Sequence, residues 1–227
     1  LQQAIDELTG LVETADDLLS GDGLKNNYRT VLGDNENTME ITIYGDNKVG
    51  NTIKSEAHGS HVSGIIGAVR NNKVGMNGVA NNVKIMAVRA VPDGDEYDKD
   101  VALAIRYAVD NGAKVLNTSF GKGYSPKKEW VWGAIKYAAS KDVLIVNAAG
   151  NDGKNIDEEL TFPNDSKDLK TEISDNVITI GAMSEYYNEN LPANFSNYGK
   201  INVDVFAPGV QIYSTTPENE YQKFSGT

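Results

Sequence analysis

From residue 58 onward the chain alternates short apolar runs with amphipathic segments, and nothing else restricts its fold as strongly. Strand-like runs stand at Val83–Val88, Val115–Thr118, Val143–Asn147 and Val177–Gly181. Between them, the segment Asp98–Asn111 puts Val101, Ala104, Ile105 and Ala108 on one helical face, and Gly112 supplies a left-handed stop. A second helical segment runs from Ser125, a candidate N-cap, through Pro126 at the first helical position to Lys141. Apolar strands separated by helices predict an α/β fold, a doubly wound and mostly parallel sheet covered by helices on both faces. Ligands in such sheets sit beyond the carboxyl ends of the strands, so the residues that leave each strand carry the chemical interest.

Residues 1–57 have a different character. Leu1, Ile5, Leu8, Leu11, Val12, Ala15, Leu18 and Leu19 follow helical spacing, and Ser20-Gly21-Asp22-Gly23 ends the pattern. The spacing suits an amphipathic surface helix, with a partner-binding helix as the sharper alternative. Residues 24–57 are rich in Asn, Asp and Gly, with one candidate strand at Met39–Tyr44, and read as a long loop or insertion. The expected organisation is therefore an N-terminal helix and loop over 1–57 and an α/β core over 58–227. With 227 residues and 40% apolar content, the chain can build one large domain. Lys+Arg 21 against Asp+Glu 32 gives a net charge of −11, which argues against nucleic-acid binding. The absence of cysteine excludes disulfides, a thiol nucleophile and Cys-based zinc sites. No run approaches the roughly 18–20 apolar residues of a membrane span. No Gly-x-Gly-x-x-Gly or phosphate-binding loop follows a strand, which disfavours a nucleotide-binding protein.

Three segments stand where chemistry is expected. Val143-Leu144-Ile145-Val146-Asn147-Ala148-Ala149-Gly150-Asn151 ends a strand in small residues that admit close approach of another backbone. The Asn151 amide is a donor that does not titrate, suited to a developing oxyanion. It also opens an Asn-Asp-Gly sequence, and a plain turn accounts for it equally. Asn117-Thr118-Ser119-Phe120-Gly121 leaves the preceding strand. Ser119, Phe120 and Gly121 would form the first wall of a slot, with Ala148, Ala149 and Gly150 opposite as the second, whose backbone groups pair with an extended peptide. No Gly-x-Ser-x-Gly elbow surrounds Ser119, which argues against a nucleophile there. His58-Gly59-Ser60-His61-Val62-Ser63-Gly64 places two histidines on one helical face. A metal pair is conceivable and a merely hydrogen-bonded histidine is the ordinary reading, while Gly59, Ser60 and Gly64 would let a helix start pack closely beside a cleft.

Taken in order, His58–Gly64, Asn77-Gly78-Val79-Ala80, Ser119–Gly121, Ala148–Gly153, Phe162-Pro163, Ala193–Gly199, Ala207-Pro208-Gly209 and Gly226-Thr227 resemble the motifs of subtilisin-like serine proteases. The resemblance implies a serine-type endopeptidase, bacterial and secreted or in the cell envelope, acting on polypeptide. It implies His58 as general base and Asn151 as side-chain donor of the oxyanion hole. Ser119, Phe120, Gly121, Ala148, Ala149 and Gly150 would line the substrate cleft. Thr161 would shape the pocket floor and disfavour bulky aromatic residues. The loop Arg70–Met76 resembles the family's calcium loop, with the Asn72 side chain and the carbonyls of Arg70, Val74 and Met76 as ligands, although Lys73 adds an unwelcome charge.

The resemblance also breaks. The family's order is Asp, His, Ser. No Asp-Ser-Gly or Asp-Thr-Gly turn closes an apolar strand in residues 1–57. Asp6 comes nearest, in a helical context, and the serine would follow Thr227 directly. The expectation is a fold incomplete at both ends, a piece of a longer protease that is inactive by itself because no acyl-enzyme can form without the serine. The competing expectation is a catalytically dead peptide-binding module on the same fold.

Overall fold

After His58 the chain folds into helices that pack on one another or against strands. The computed structural model describes residues 32–35, 37–40, 45–50, 56–91 and 96–227. The expected helix over residues 1–20, Asp6 and residues 41–44 of the candidate strand lie outside them. The chain divides into two compact units, Leu1–Asn47 and Lys48–Thr227, and every α-helix and β-strand among the described residues belongs to the second.

Helix α1 spans His58–Gly67, α2 spans Asp98–Asp110, β1 is Val115–Thr118 and α3 spans Lys128–Ser140. Strands β2 (Leu144–Ala148), β3 (Val177–Met183) and β4 (Val205–Pro208) follow, then a hairpin of β5 (Ile212–Thr216) and β6 (Glu220–Phe224). The sheet order is β1-β2-β3-β4 with every neighbour parallel, as the alternation of strands and helices requires. The hairpin is antiparallel and forms a separate two-stranded sheet. The α/β class and mostly parallel sheet read from the sequence are thus present.

Helices α2 and α3 pack on each other through Val101, Ala102, Ile105, Ala108 and Val109 on one side and Val131, Ala134, Ile135 and Ala138 on the other, all buried. The buried set replaces Ala104 with Ala102, a small turn of the expected face. Each fully buried Val or Ile here contributes about 1.5–3 kcal/mol. Gly112 ends α2 at φ +89°, the left-handed stop its position suggests.

The start of α3 departs from expectation. Ser125 does not cap it, and the helix begins at Lys128. Ser125 is buried and its hydroxyl donates to Asp98 Oδ1 at 2.7 Å, while Asp98 Oδ2 accepts the Lys127 N–H at 2.8 Å. A carboxylate from the first turn of α2 therefore takes over the capping role, through a long-range contact that local sequence does not display.

The apolar run Val83–Val88 is also not a strand. Among the described residues nothing pairs with its backbone, and Val83, Ile85, Met86 and Val88 are between 36% and 51% exposed. Its side chains instead lean on the end of α1, where a Cβ on Gly67 would lie 3.1 Å from Val83 and 3.4 Å from Ile85. An apolar sequence becomes a strand only when a neighbour supplies ladder partners.

Candidate active site

The two expected cleft walls leave adjacent parallel strands. Thr118 and Asn147 are register partners at the ends of β1 and β2, so Ser119–Gly121 and Ala148–Gly150 emerge side by side at the carboxyl edge of the sheet. The buried strand ends are tied across: Thr118 Oγ1 donates to Asn147 Oδ1 at 2.8 Å, and Asn147 Nδ2 donates to the Pro163 carbonyl at 3.0 Å. On the first wall, the Ser119 hydroxyl accepts from Asn117 Nδ2 at 3.0 Å and Gly121 is exposed. Lys122 and Phe162 then form an isolated antiparallel bridge, with N–H···O distances of 2.8 and 2.9 Å.

The second wall turns sharply at Gly150, which has φ +104°. A Cβ there would also lie 2.3 Å from Asn197 Nδ2, so both backbone and packing demand glycine. Asn197 is 0% exposed and clamps the turn: Nδ2 donates to the Ala149 carbonyl at 2.9 Å, and Oδ1 accepts from Asp152 N at 3.0 Å and Lys154 N at 2.9 Å. Its own N–H donates to the Gly150 carbonyl at 2.8 Å. As a single side chain Asn197 was not read from the sequence, where it stood only inside a longer motif. An isolated asparagine gives no periodic signal of burial.

Asn151, the next residue, is exposed, and its amide is oriented by Thr227. Thr227 N and Oγ1 both meet Asn151 Oδ1, at 2.9 and 3.1 Å, and Gly150 N donates to Thr227 Oγ1 at 3.1 Å. A backbone N–H donor fixes which amide atom is the oxygen. The Nδ2 group consequently faces elsewhere, and among the described residues it has no acceptor. A fixed amide with an unused donor can hydrogen-bond a negative oxygen without reorganising.

His58 is the first residue of α1 and His61 lies one turn on. His61 is 3% exposed; its Nε2 lies 2.8 Å from the Ile212 carbonyl and 3.2 Å from the Gln222 carbonyl, and its ring stacks on Phe224 at 4.4 Å. It is a structural anchor. Facing two carbonyl oxygens, His61 Nε2 carries a hydrogen and offers no lone pair to an ion shared with His58. His58 as a residue is exposed, and no hydrogen bond holds its imidazole among the described residues. Enough protein still surrounds the ring that its partial burial, the larger cause, and repulsion from His61 lower its pKa below 6.5. A neutral imidazole at neutral pH is the form that accepts a proton. Of the small residues beside it, Gly64 packs against the hairpin, where a Cβ would lie 2.2 Å from Thr215 Oγ1, and Gly59 faces open space. The close approach serves the hairpin, which corrects the expectation that these glycines line a cleft.

Thr161 precedes the cis Phe162-Pro163 bond, and its carbonyl accepts from Asn164 Nδ2. It lines a small hollow with Asn147, Asp165, Ser166, Thr179 and Asn202. Asp165 is pushed up to about 6, chiefly by burial and further by Glu172 and Asp204.

Arg70, Asn72, Val74 and Met76 lie in the loop after α1, where Asn71, Lys73 and Gly75 are left-handed. Asn72 Oδ1 accepts from Val74 N at 3.0 Å, and the Arg70 guanidinium donates to the Gly78 and Val79 carbonyls at 2.5 and 3.2 Å. The candidate donors are neutral oxygens, and Asn72 Oδ1 keeps a second lone pair. Neutral oxygens of this kind are the ligand type that calcium takes.

The family model described as "Subtilase family" matches residues 15–227. The chain is 42% identical over 171 residues to the "Thermophilic serine proteinase" of Bacillus sp. (strain AK1), covering 75% of this chain and 38% of that protein. It is 39% identical over 223 residues to the "Cell wall-associated protease" of Bacillus subtilis (strain 168), covering 98% of this chain and 22% of that protein. With "Thermitase" of Thermoactinomyces vulgaris the identity is 38% over 173 residues, 75% of this chain and 55% of that one. The chain thus spans well under two thirds of each of these relatives. Among solved structures, "S41 Psychrophilic Protease" aligns with a TM-score of 0.67 at 27% identity over 82% of this chain and 62% of that one. A "cold adapted subtilisin-like serine proteinase" aligns at 0.59 and 29% identity, over 75% and 55% of the two chains. With the order of its motifs and its parallel sheet, this match over nearly its whole length means that the chain belongs to the subtilase family.

Proposed function

We propose that the whole protein of which these residues form a part is a serine endopeptidase that cuts extended polypeptide by acyl transfer to serine and then to water. The observation that carries this reading is the Asn151 amide, pinned through Oδ1 to Thr227 with Nδ2 unused, next to the neighbouring exits of β1 and β2. In this reading His58, kept neutral, takes the proton of the nucleophilic serine that the subtilase pattern puts after Gly226-Thr227, and later returns it to the leaving amine. Asn151 Nδ2 donates to the oxyanion as it forms. Ser119, Phe120, Gly121, Ala148, Ala149 and Gly150 offer the extended backbone its partners, and Thr161 limits the depth of the side-chain pocket.

Calcium held by Asn72 Oδ1 and the carbonyls of Arg70, Val74 and Met76 would brace the loop after α1 and take no part in the chemistry. A secreted or cell-envelope location agrees with the cell-wall association named for the Bacillus subtilis relative. No helix among the described residues is long and apolar enough to cross a membrane. The test is fluorophosphonate labelling of the whole protein beside its His58→Ala variant. Strong labelling lost in the variant is expected. No labelling of the folded protein, with peptide binding retained, would overturn the protease reading in favour of a dead peptide-binding module.

A further inference from the structure

The first wall is not free for a peptide to use. Gly121 is exposed at the exit of β1, yet its backbone N–H donates to Glu96 Oε1 at 3.1 Å. A carboxylate from the segment before α2 thus occupies a main-chain donor that an extended ligand needs on this wall. The seat of Glu96 is built from below. Its carbonyl accepts from Lys122 Nζ, and the same ammonium lies 3.0 Å from Asp98 Oδ1, with side chains only 12% and 5% exposed. Asp98 is itself held by Ser125 and Lys127 N. Buried ion pairs of this kind are rigid when every partner is satisfied, and here each charge has one. Glu96 at the top of this stack is half-buried, within reach of water, and its carboxylate can leave for it.

We propose that Glu96 is an affinity- and specificity-determining residue of the cleft, a latch on the Gly121 N–H that the carbonyl of a bound extended peptide must displace. The inference rests on the reading of Ser119–Gly121 as a substrate wall. A hydrogen bond to a carboxylate is stronger than one to a neutral carbonyl, so the exchange favours the closed latch. The handicap to peptide binding is about five- to tenfold in affinity. Ligands that do not need this N–H escape the handicap, so the latch discriminates by how the ligand's backbone pairs with the wall.

The experiment uses the whole protein carrying His58→Ala, so that peptide is bound and not cut. A fluorescein-labelled Ala/Leu octapeptide serves as probe, with a series in which one amide carbonyl at a time is replaced by methylene. Fluorescence anisotropy gives Kd with Glu96 intact, with Glu96→Ala and with Glu96→Gln. Glu96→Ala is expected to tighten the parent octapeptide about five- to tenfold, and Glu96→Gln less, since the amide keeps a neutral acceptor. The gain is expected to vanish for one methylene peptide, the one lacking the carbonyl that takes Gly121. Glu96→Gln keeps the side-chain volume and reads the latch even where the alanine variant folds poorly. Unchanged or weaker binding in both variants, a gain that persists through the whole methylene series, or no peptide binding at all would overturn the proposal. Failure of fluorophosphonate labelling sinks the protease reading alone, because the anisotropy assay needs no turnover.

Discussion

Replacing Asn197 by alanine removes the clamp on the turn that carries Asn151. Three side-chain hydrogen bonds disappear, to the Ala149 carbonyl and from the N–H groups of Asp152 and Lys154. Their costs differ. Ala149 is 1% exposed, so its carbonyl loses its side-chain partner away from water, at about 1–3 kcal/mol. Asp152 and Lys154 are exposed and their N–H groups can be rehydrated, at about 0.5–1 kcal/mol each. The sum is about 2–5 kcal/mol, a large share of the stability of an ordinary domain. In thermal unfolding it corresponds to a Tm lower by about 4–20 °C for a domain of this size. Urea unfolding of the whole protein measures the loss, and amide hydrogen exchange at Asp152 and Lys154 shows whether it is local to the turn. A loss under about 1 kcal/mol with unchanged exchange at both amides would refute the reasoning, since the clamp would then carry no energy.

Asp165→Asn should stabilise the protein above pH 7 and do nothing near pH 4. The folded pKa of about 6 lies above 3.8, so the stability contributed by the protonated carboxyl is complete below 3.8 and lost as pH rises through 6. The ceiling is about 3 kcal/mol, reduced by solvent at this half-exposed position, and equal Tm differences at pH 4 and pH 8 would contradict the assignment. At Thr161, substitution by glycine should raise the kcat/KM for cleavage after Phe relative to Ala in the whole enzyme by about tenfold, the scale of a modest pocket change; a flat peptide series before and after substitution would remove Thr161 from the pocket floor. Calcium chloride at about 10 mM should stabilise the protein over EDTA by about 1–1.5 kcal/mol for a millimolar site, and Asn72→Ala should abolish the gain. A Tm indifferent to calcium would end that proposal.

The parallel strands were legible because β2 and β3 are largely apolar in composition and β1 opens on Val115-Leu116, and Gly112 was legible because a left-handed helix stop needs glycine. The hairpin was not. In β5 the inward residues are Ser214 and Thr216, both buried, while Tyr213 is 45% exposed, so polarity runs opposite to the usual alternation. For Ser214 the reason is chemical, since its hydroxyl donates to the His61 carbonyl at 2.7 Å, whereas the buried Thr216 hydroxyl has no hydrogen-bond partner among the described residues. β4 ends in Pro208 and its first two residues are exposed, a poor strand signal for the last strand of a sheet. For the candidate site, the order of His58, Ser119–Gly121 and Asn151 was readable as motifs. The side chains that hold them, Asn197 behind Gly150 and the Asp98–Lys122 pair under Glu96, act across 24 or more residues of chain and leave no local pattern.

His61 shows how that hidden support joins separate motifs. Its Nε2 lies within hydrogen-bond distance of a carbonyl on each strand of the hairpin, Ile212 on β5 and Gln222 on β6, and its ring stacks on Phe224 at the end of β6. With carbonyl acceptors on both sides, Nε2 must carry a hydrogen. Directly beyond Phe224, the Ser225 hydroxyl accepts from Gln211 N at 2.9 Å, Gly226 N donates to the Gly209 carbonyl at 2.9 Å, and Thr227 reaches Asn151. Gly64 and the Ser214 and Thr215 hydroxyls of β5, which donate to the His61 and Ser60 carbonyls, fix the same helix to the same hairpin. The helix that begins with the candidate base and the strand that runs onto the candidate oxyanion donor are therefore one packed unit. The histidine without a catalytic assignment is the one that sets where the other stands.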